Sequence, residues 1–148
     1  MVSTLVVAVA ATAAALGAAS VIGVAVNRRS GTLRQTSTSD AEARQDTSDL
    51  GLSESGPTIV HFSAEWCGPC AAVRRVVDQV CAALPEVAHV ELDIDANPAA
   101  AKRFSVLSLP TTFIFDADGR QHYRTAGVPK APELQTAVQS LLAGKASD

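Results

Sequence analysis

The pattern of apolar and polar positions divides the chain into three stretches. From Val2 to Val26 no charged residue occurs, and from Ser30 to Gly56 the chain is rich in Ser, Thr, Asp, Glu and Gln with no aromatic residue. Beyond that, apolar residues recur with the periods of strands and helices. Thr58–Ser63 is a short apolar run that reads as a strand. Val73, Val76, Val77, Val80, Cys81 and Leu84 recur at three- and four-residue spacing, the period of a helix. Val87–Ile94 alternates and reads as a strand. Asn97-Pro98 opens a short helix that runs to about Phe104, and Thr111–Phe115 is another strand. Asp118-Gly119 is a hairpin turn signal that leads into a strand near 120–125. Leu134, Val138, Leu141 and Leu142 give a closing amphipathic helix. Helices separate the first strand from the second and the second from the third, and a hairpin follows. The expected fold class is therefore α/β, a mixed sheet covered by helices.

The uncharged run is about 25 residues long, enough to cross a hydrocarbon core of roughly 30 Å as a helix, although alanine is only marginally apolar. A secretory leader would begin with a basic region and carry a shorter apolar stretch. Here nothing basic precedes the run, and Arg28, Arg29 and Arg34 follow it. The pattern predicts one transmembrane helix, with residues 1–29 as a single-pass anchor in the cell membrane and contact through residues 2–26. The positive-inside rule then puts the rest of the chain on the cytoplasmic side. An extracytoplasmic placement is the alternative. Residues 30–56 read as a flexible polar linker, with too little to bury to order itself. As a coil of about 27 residues it would span on the order of 30 Å. Residues 57–148 form the folded domain.

The candidate chemistry lies at Ala64-Glu65-Trp66-Cys67-Gly68-Pro69-Cys70, at the junction of the first strand and the first helix of that domain. Side chains three apart on a helix lie about 5–6 Å apart at Cβ. A disulfide needs about 3.5–4.5 Å, so a small adjustment closes the ring, and the pair can open and close without rebuilding the fold. A helix N-terminus offers unpaired N–H groups and a partial positive charge. Both favour thiolate over thiol, so Cys67 is the candidate nucleophile. Pro69 suits the first helical turn, where its missing N–H loses nothing. The alternative for a Cys-x-x-Cys is half of a zinc site. That needs four ligands, and neither a second Cys-x-x-Cys nor paired histidines accompany it, so no metal and no cofactor are expected.

Composition narrows the field. The 148 residues allow one ordinary domain. The net charge of −3 comes with no basic block, which excludes nucleic acid as the expected partner. Three cysteines leave one over after the pair, which argues against a structural disulfide framework. The third, Cys81, falls on the apolar face of its helix. It reads as a buried structural thiol, with a regulatory thiol as the alternative.

Trp66-Cys67-Gly68-Pro69-Cys70 resembles the active-site motif of the thioredoxin family at every position. Asp95-Ala96-Asn97-Pro98, Leu109-Pro110-Thr111 and Gly127 follow in the family's order and at about its spacing. The resemblance covers roughly residues 57–143. It implies a thioredoxin-like mixed sheet flanked by helices. The polar stretch before it is a poor candidate for the strand and helix with which many thioredoxins begin, so both are expected to be missing. The activity implied is that of a thiol–disulfide oxidoreductase that reduces protein disulfides. Cys67 would attack a partner disulfide and Cys70 would resolve the mixed disulfide. The implied partners are disulfide-containing proteins and a reductase or other thiol donor.

By resemblance, Leu109-Pro110 is a cis-proline turn, with Pro110 beside the disulfide and Leu109 offering backbone hydrogen bonds to an extended substrate strand. A trans proline opening the strand is the alternative. Trp66 would be a flat apolar rim for a partner, or else a packing residue. Trp66, Gly68, Pro69, Leu109, Pro110 and Thr111 are thus the candidate substrate-contacting residues. Two departures from the family bear on the chemistry. His61 stands where a buried aspartate handles the proton of the resolving cysteine, and Glu91 stands where a lysine is usual. One acid–base pair can thus replace another, with His61 as the proton acceptor, or His61 is a hydrogen-bonded core residue and Glu91 a solvated one. Ser63 replaces a common tryptophan, and Arg75 stands where a helix-kinking proline is frequent. Two other functions remain open: an extracytoplasmic thiol reductase of the cytochrome-maturation type, and a non-catalytic adaptor that binds proteins through the Trp66–Pro110 surface. The stretch from Cys67 to Pro110 is short for the first.

Overall fold

The computed structural model describes residues 2–36 and 45–145. It divides into two units, residues 1–30 and 31–148. In the first unit, the helix α1 runs Val2–Arg29. Its side chains are described over residues 12–25, where eight of the fourteen are Ala or Gly. Such residues add little apolar area per turn. Among the described residues no helix is long and apolar enough to cross a membrane. The stretch is therefore helical, as expected, but the expected membrane span is not found among the described residues.

The second unit is built on a five-stranded sheet. Its strands are β1 (Arg34–Gln35), β2 (Thr58–Ser63), β3 (Ala88–Asp93), β4 (Thr111–Phe115) and β5 (Gln121–Ala126). The order across the sheet is β1-β5-β4-β2-β3. β2 and β3 are parallel, and the other neighbours are antiparallel. Three helices complete the unit: α2 (Cys70–Ala83), α3 (Pro98–Arg103) and α4 (Ala131–Lys145). A parallel pair needs a crossover, and α2 supplies it between β2 and β3. At the hairpin from β4 to β5, Gly119 takes φ +76, which suits a residue without Cβ, and its N–H donates to the Asp116 carbonyl.

Alternation along the strands sorts the core into two layers. Ile59 and Ile114 face α2 and α4, packing with Val73, Val77, Val80, Leu134 and Val138. Val60, Phe62, Phe113 and Phe115 point the other way, against Ala100, Ala101 and Phe104. β2 is buried at every position. It is hydrogen-bonded on both edges and covered on both faces, as a central strand must be. α2 continues without a break through Arg75.

Two expectations about residues 30–56 are corrected. The stretch is not a free linker at its described ends, and an N-terminal strand is present. β1 joins the sheet beside β5, with Arg34 opposite Arg124 and Gln35 opposite Tyr123. The N–H of Gly31 donates to the Ala126 carbonyl at 2.6 Å, and that of Thr36 to the His122 carbonyl at 2.8 Å. Leu50 is buried in the phenylalanine layer. Asp49 pairs with Arg103, and the N–H of Ser53 donates to the Thr58 hydroxyl. Polar composition hid this because a sheet edge is recognised by backbone groups and one leucine suffices as a plug. The strand is only two residues long, and among the described residues no helix lies between β1 and β2. Residues 37–44 of the expected linker lie outside the described residues.

Leu50 gives a test of this docking. Leu50→Ala is expected to destabilise the folded unit by about 2–5 kcal/mol, the usual cost of emptying a buried leucine site. Urea denaturation measures it. A midpoint unchanged from the native protein would return residues 45–56 to the status of a linker.

Candidate active site

β2 ends at Ser63 and α2 begins at Cys70. The connecting residues 64–69 are pinned at both ends. The N–H of Cys67 donates to the Ala64 carbonyl, and that of Cys70 to the Cys67 carbonyl. Cys67 and Cys70 form a disulfide with Cα atoms 5.5 Å apart. Pro69 is the N-cap residue of α2, in helical backbone conformation, and Cys70 is the first helical residue. No side chain caps the helix, and no acidic residue stands in its first turn. The partial positive charge of the helix end is thus left for the sulfurs, as the strand-to-helix spacing predicts.

The two cysteines differ in access. Cys70 is buried, whereas Cys67 is half-buried and flanked by exposed Trp66, Gly68 and Pro69. Trp66 leaves 71% of its surface open, so it is not a packing residue in this state. The Leu109–Pro110 peptide is cis, as expected. Pro110 is buried and Leu109 half-buried. Register puts this turn at the mouth of the site. Phe62, next to the end of β2, pairs with Thr111, the first residue of β4. The turn and the loop before it are held through four backbone carbonyls. The Thr111 hydroxyl donates to the Ser108 carbonyl, the Gly127 N–H to the Pro110 carbonyl, and the Arg124 guanidinium to the carbonyls of Phe104 and Ser105. Beside it, Leu107 is 92% exposed, a second apolar side chain that the sequence reading did not single out.

His61 is fully buried on the α2 side of β2. Its Nδ1 lies 2.8 Å from Nε2 of His89, and the two rings stack 20° from parallel. Its Nε2 lies 3.5 Å from Glu91 Oε1, an electrostatic contact that makes no hydrogen bond among the described residues. Glu91 is committed elsewhere. Arg74 of α2 donates to both of its oxygens, at 2.8 and 2.5 Å. That guanidinium, ahead of the cost of burial, holds the Glu91 carboxyl down at about 2. Glu91 thus lies beside His61, as the expected pair requires, while its ion-pair partner is Arg74. Burial, opposed chiefly by Glu91, lowers His61 to about 4. The ring is neutral at neutral pH. Arg74, Asp78 and His89 were missed in the sequence. The signal was there: Arg74 and Asp78 are one turn apart on α2, and His89 shares a strand face with Glu91.

Cys81 is half-buried against the aliphatic layer, and burial pushes its thiol up, which suits a structural group. Among the described residues no cluster of His, Cys, Asp or Glu is arranged to hold a metal ion.

A half-exposed and a buried cysteine, closed into a disulfide at an uncapped helix N-terminus beside a cis-proline turn, define a dithiol–disulfide exchange protein. The thioredoxin family model matches residues 40–140, so the chain belongs to the thioredoxin family. It is similar to thioredoxin of Chlamydia muridarum, 45% identical over 80 residues that cover 54% of this chain and 78% of the relative. It is 42% identical to thioredoxin of Mycolicibacterium smegmatis over 79 residues, 51% of this chain and 70% of the relative. Among solved structures, a mutant thioredoxin of Halobacterium salinarum superposes with a TM-score of 0.56 at 28% identity, covering 67% of this chain and 85% of that one. Chloroplastic thioredoxin z superposes at 0.55 and 30% identity, covering 73% and 92%. The chain is a protein-disulfide oxidoreductase of the thioredoxin type.

The lowered His61 sets a pH dependence. The folded ring stays neutral down to about 4, whereas the ring in the unfolded chain protonates near 6.5. Between those values the unfolded chain binds more protons, so stability falls on acidification, by roughly 3 kcal/mol over the window. Urea denaturation between these pH limits is expected to show this slope, and His61→Asn to flatten it. Equal slopes in the two proteins would mean that burial does not govern His61.

Proposed function

We propose that this chain is a membrane-tethered reductant of protein disulfides. The observation that carries the reductase reading is the unequal access of the two cysteines at the head of α2. As a thiolate, Cys67 attacks a partner disulfide and forms the mixed disulfide. Cys70, held within bonding reach, attacks the Cys67 sulfur and releases the reduced partner. The Cys67–Cys70 disulfide is left as product. A reductase or other thiol donor restores the dithiol. The substrate segment lies along Trp66, Gly68, Pro69, Leu109, Pro110 and Thr111, with the exposed tryptophan as its apolar contact. His61, neutral at working pH, is the acceptor for the Cys70 proton. Its buried Nε2, which makes no hydrogen bond among the described residues, supports that role, and its low basicity makes the transfer brief.

The uncharged segment 2–26 supplies the tether, and Arg28, Arg29 and Arg34 orient it with the redox domain in the cytoplasm. The exposed Trp66 also suits an adaptor that binds proteins without turnover, which makes the cysteine variants the deciding experiment.

Cys67→Ser is expected to abolish reduction of insulin disulfides, and Cys70→Ser to accumulate mixed disulfides with partners. A Cys70→Ser protein that turns over at the native rate would undo the assignment, and a native protein with no turnover would favour the adaptor. For placement, a phosphatase fused after Asp148 is expected to be inactive in intact cells. Deletion of residues 2–26 is expected to move the protein from the membrane to the soluble fraction. An active fusion would put the domain on the other side of the membrane.

A further inference from the structure

Four ring nitrogens form a line across the sheet face beneath α2. Glu91 Oε1 lies 3.5 Å from His61 Nε2, His61 Nδ1 lies 2.8 Å from His89 Nε2, and His89 Nδ1 lies 3.6 Å from Asp78 Oδ1. The line runs from a fully buried ring, through one whose side chain is 18% exposed, to a carboxylate that is 64% exposed. The two strands bring the rings together. Ile59 pairs with His89 and His61 with Glu91 in the parallel register, so the histidines are diagonal neighbours on one face.

Proton counting constrains this line. A separation of 2.8 Å between ring nitrogens holds one hydrogen and excludes two. Two neutral rings carry two N–H groups between them. One occupies the central gap and the other sits at one end. Either both rings carry Nδ1–H, leaving His61 Nε2 bare, or both carry Nε2–H, leaving His89 Nδ1 bare. One extra proton fills both ends and the gap, and a second cannot enter without breaking the pair. The groups that face the pair fit a single mobile charge. From α2 come Arg74 and Asp78, and from β3 comes Glu91, which Arg74 neutralises. The β4 register partner of His61 is Thr112, which is uncharged.

We propose that His61 and His89 form a two-ring proton wire that carries the proton of Cys70 between the buried side of the disulfide and solvent beside Asp78. It rests on the reading that His61 accepts that proton. The wire starts with both rings as Nδ1–H. The Cys70 thiol gives its proton to His61 Nε2, and the thiolate attacks the Cys67 sulfur. The bond from Cys67 to the partner breaks, and the partner leaves as thiolate. The His61 Nδ1 proton passes to His89 Nε2, and the His89 Nδ1 proton leaves to water. Both rings are then Nε2–H. When a donor dithiol reduces the Cys67–Cys70 disulfide, Cys70 recovers a proton from His61 Nε2. The central hydrogen shifts back, and His89 Nδ1 takes a proton from water. One turnover of the cysteines thus resets the rings. In this scheme His89 is a positioning and relay residue, because it acts on the reacting sulfur only through His61.

The test begins with the unaltered chain. In full-length protein labelled with 15N-histidine, long-range proton–nitrogen correlations report the tautomer of each ring, and His122→Gln removes the third set of signals. The wire requires His61 and His89 to share one tautomer in every state. It expects Nδ1–H in the dithiol form and Nε2–H in the disulfide form. Opposite tautomers on the two rings would overturn it. The second arm measures resolution of a mixed disulfide. His89→Ala is expected to slow it by about a hundredfold, the low end of general acid–base effects, and free imidazole to restore part of the rate. Slow resolution in His61→Asn with native rates in His89→Ala would end the wire and keep His61 as the acceptor. Native rates in both variants would end both readings.

Discussion

The constraint on which the structure depends is the complete burial of β2. A strand bonded on both edges and covered on both faces has one register and one exit. Its exit is Ser63, and from there the chain has only six residues in which to reach the first turn of α2. The cysteines are therefore presented by the most restrained part of the fold. The antiparallel register of β4 then places the Leu109–Pro110 turn at the same end of the sheet. Backbone bonds from Gly127 and the Arg124 side chain hold that turn and the loop before it.

Burial of β2 also sets the electrostatics. An ionised group on this strand would carry a large desolvation cost, which a neutral imidazole avoids. His61 takes that position, and the charges lie one layer further out, in Arg74 and Glu91. Glu91 attracts a proton to His61 and burial repels it. Burial is the larger effect, and the charge of Arg74 adds to it. Thiolate stabilisation is left to the helix end, where neither an acidic residue nor a side-chain cap competes.

The ends of the sheet are held by modest means. β1 is two residues long and contributes chiefly backbone hydrogen bonds, and Leu50 contributes a single apolar side chain. Their location explains their effect. β1 covers the free edge of β5, and Leu50 is buried in the phenylalanine layer with Val60 and Phe115. Exposed strand edges invite pairing with other chains, so even a short cover matters.

Much was determined by the sequence alone. Apolar runs, alternation, helical spacing and turn signals marked the elements of residues 57–148 to within a few positions, because a helix buries one stripe and a central strand such as β2, buried on both faces, reads as a continuous apolar run. The Cys67–Cys70 pair was legible because its chemistry needs only local geometry, three residues apart at a strand-to-helix junction. The cis turn at Pro110 was legible only through resemblance to a family. Other features were decided by tertiary structure. Residues 30–56 look like a tether because their partners are backbone atoms of β5 and a pocket among distant phenylalanines, and neither leaves a periodic trace. Glu91 lies beside His61, but Arg74, 17 residues away, takes both its oxygens, and no local pattern shows that. His89 shows no role until the parallel register sets it diagonally beside His61. In each case the deciding partner is remote in the chain, and long-range pairing is the information that local pattern does not carry.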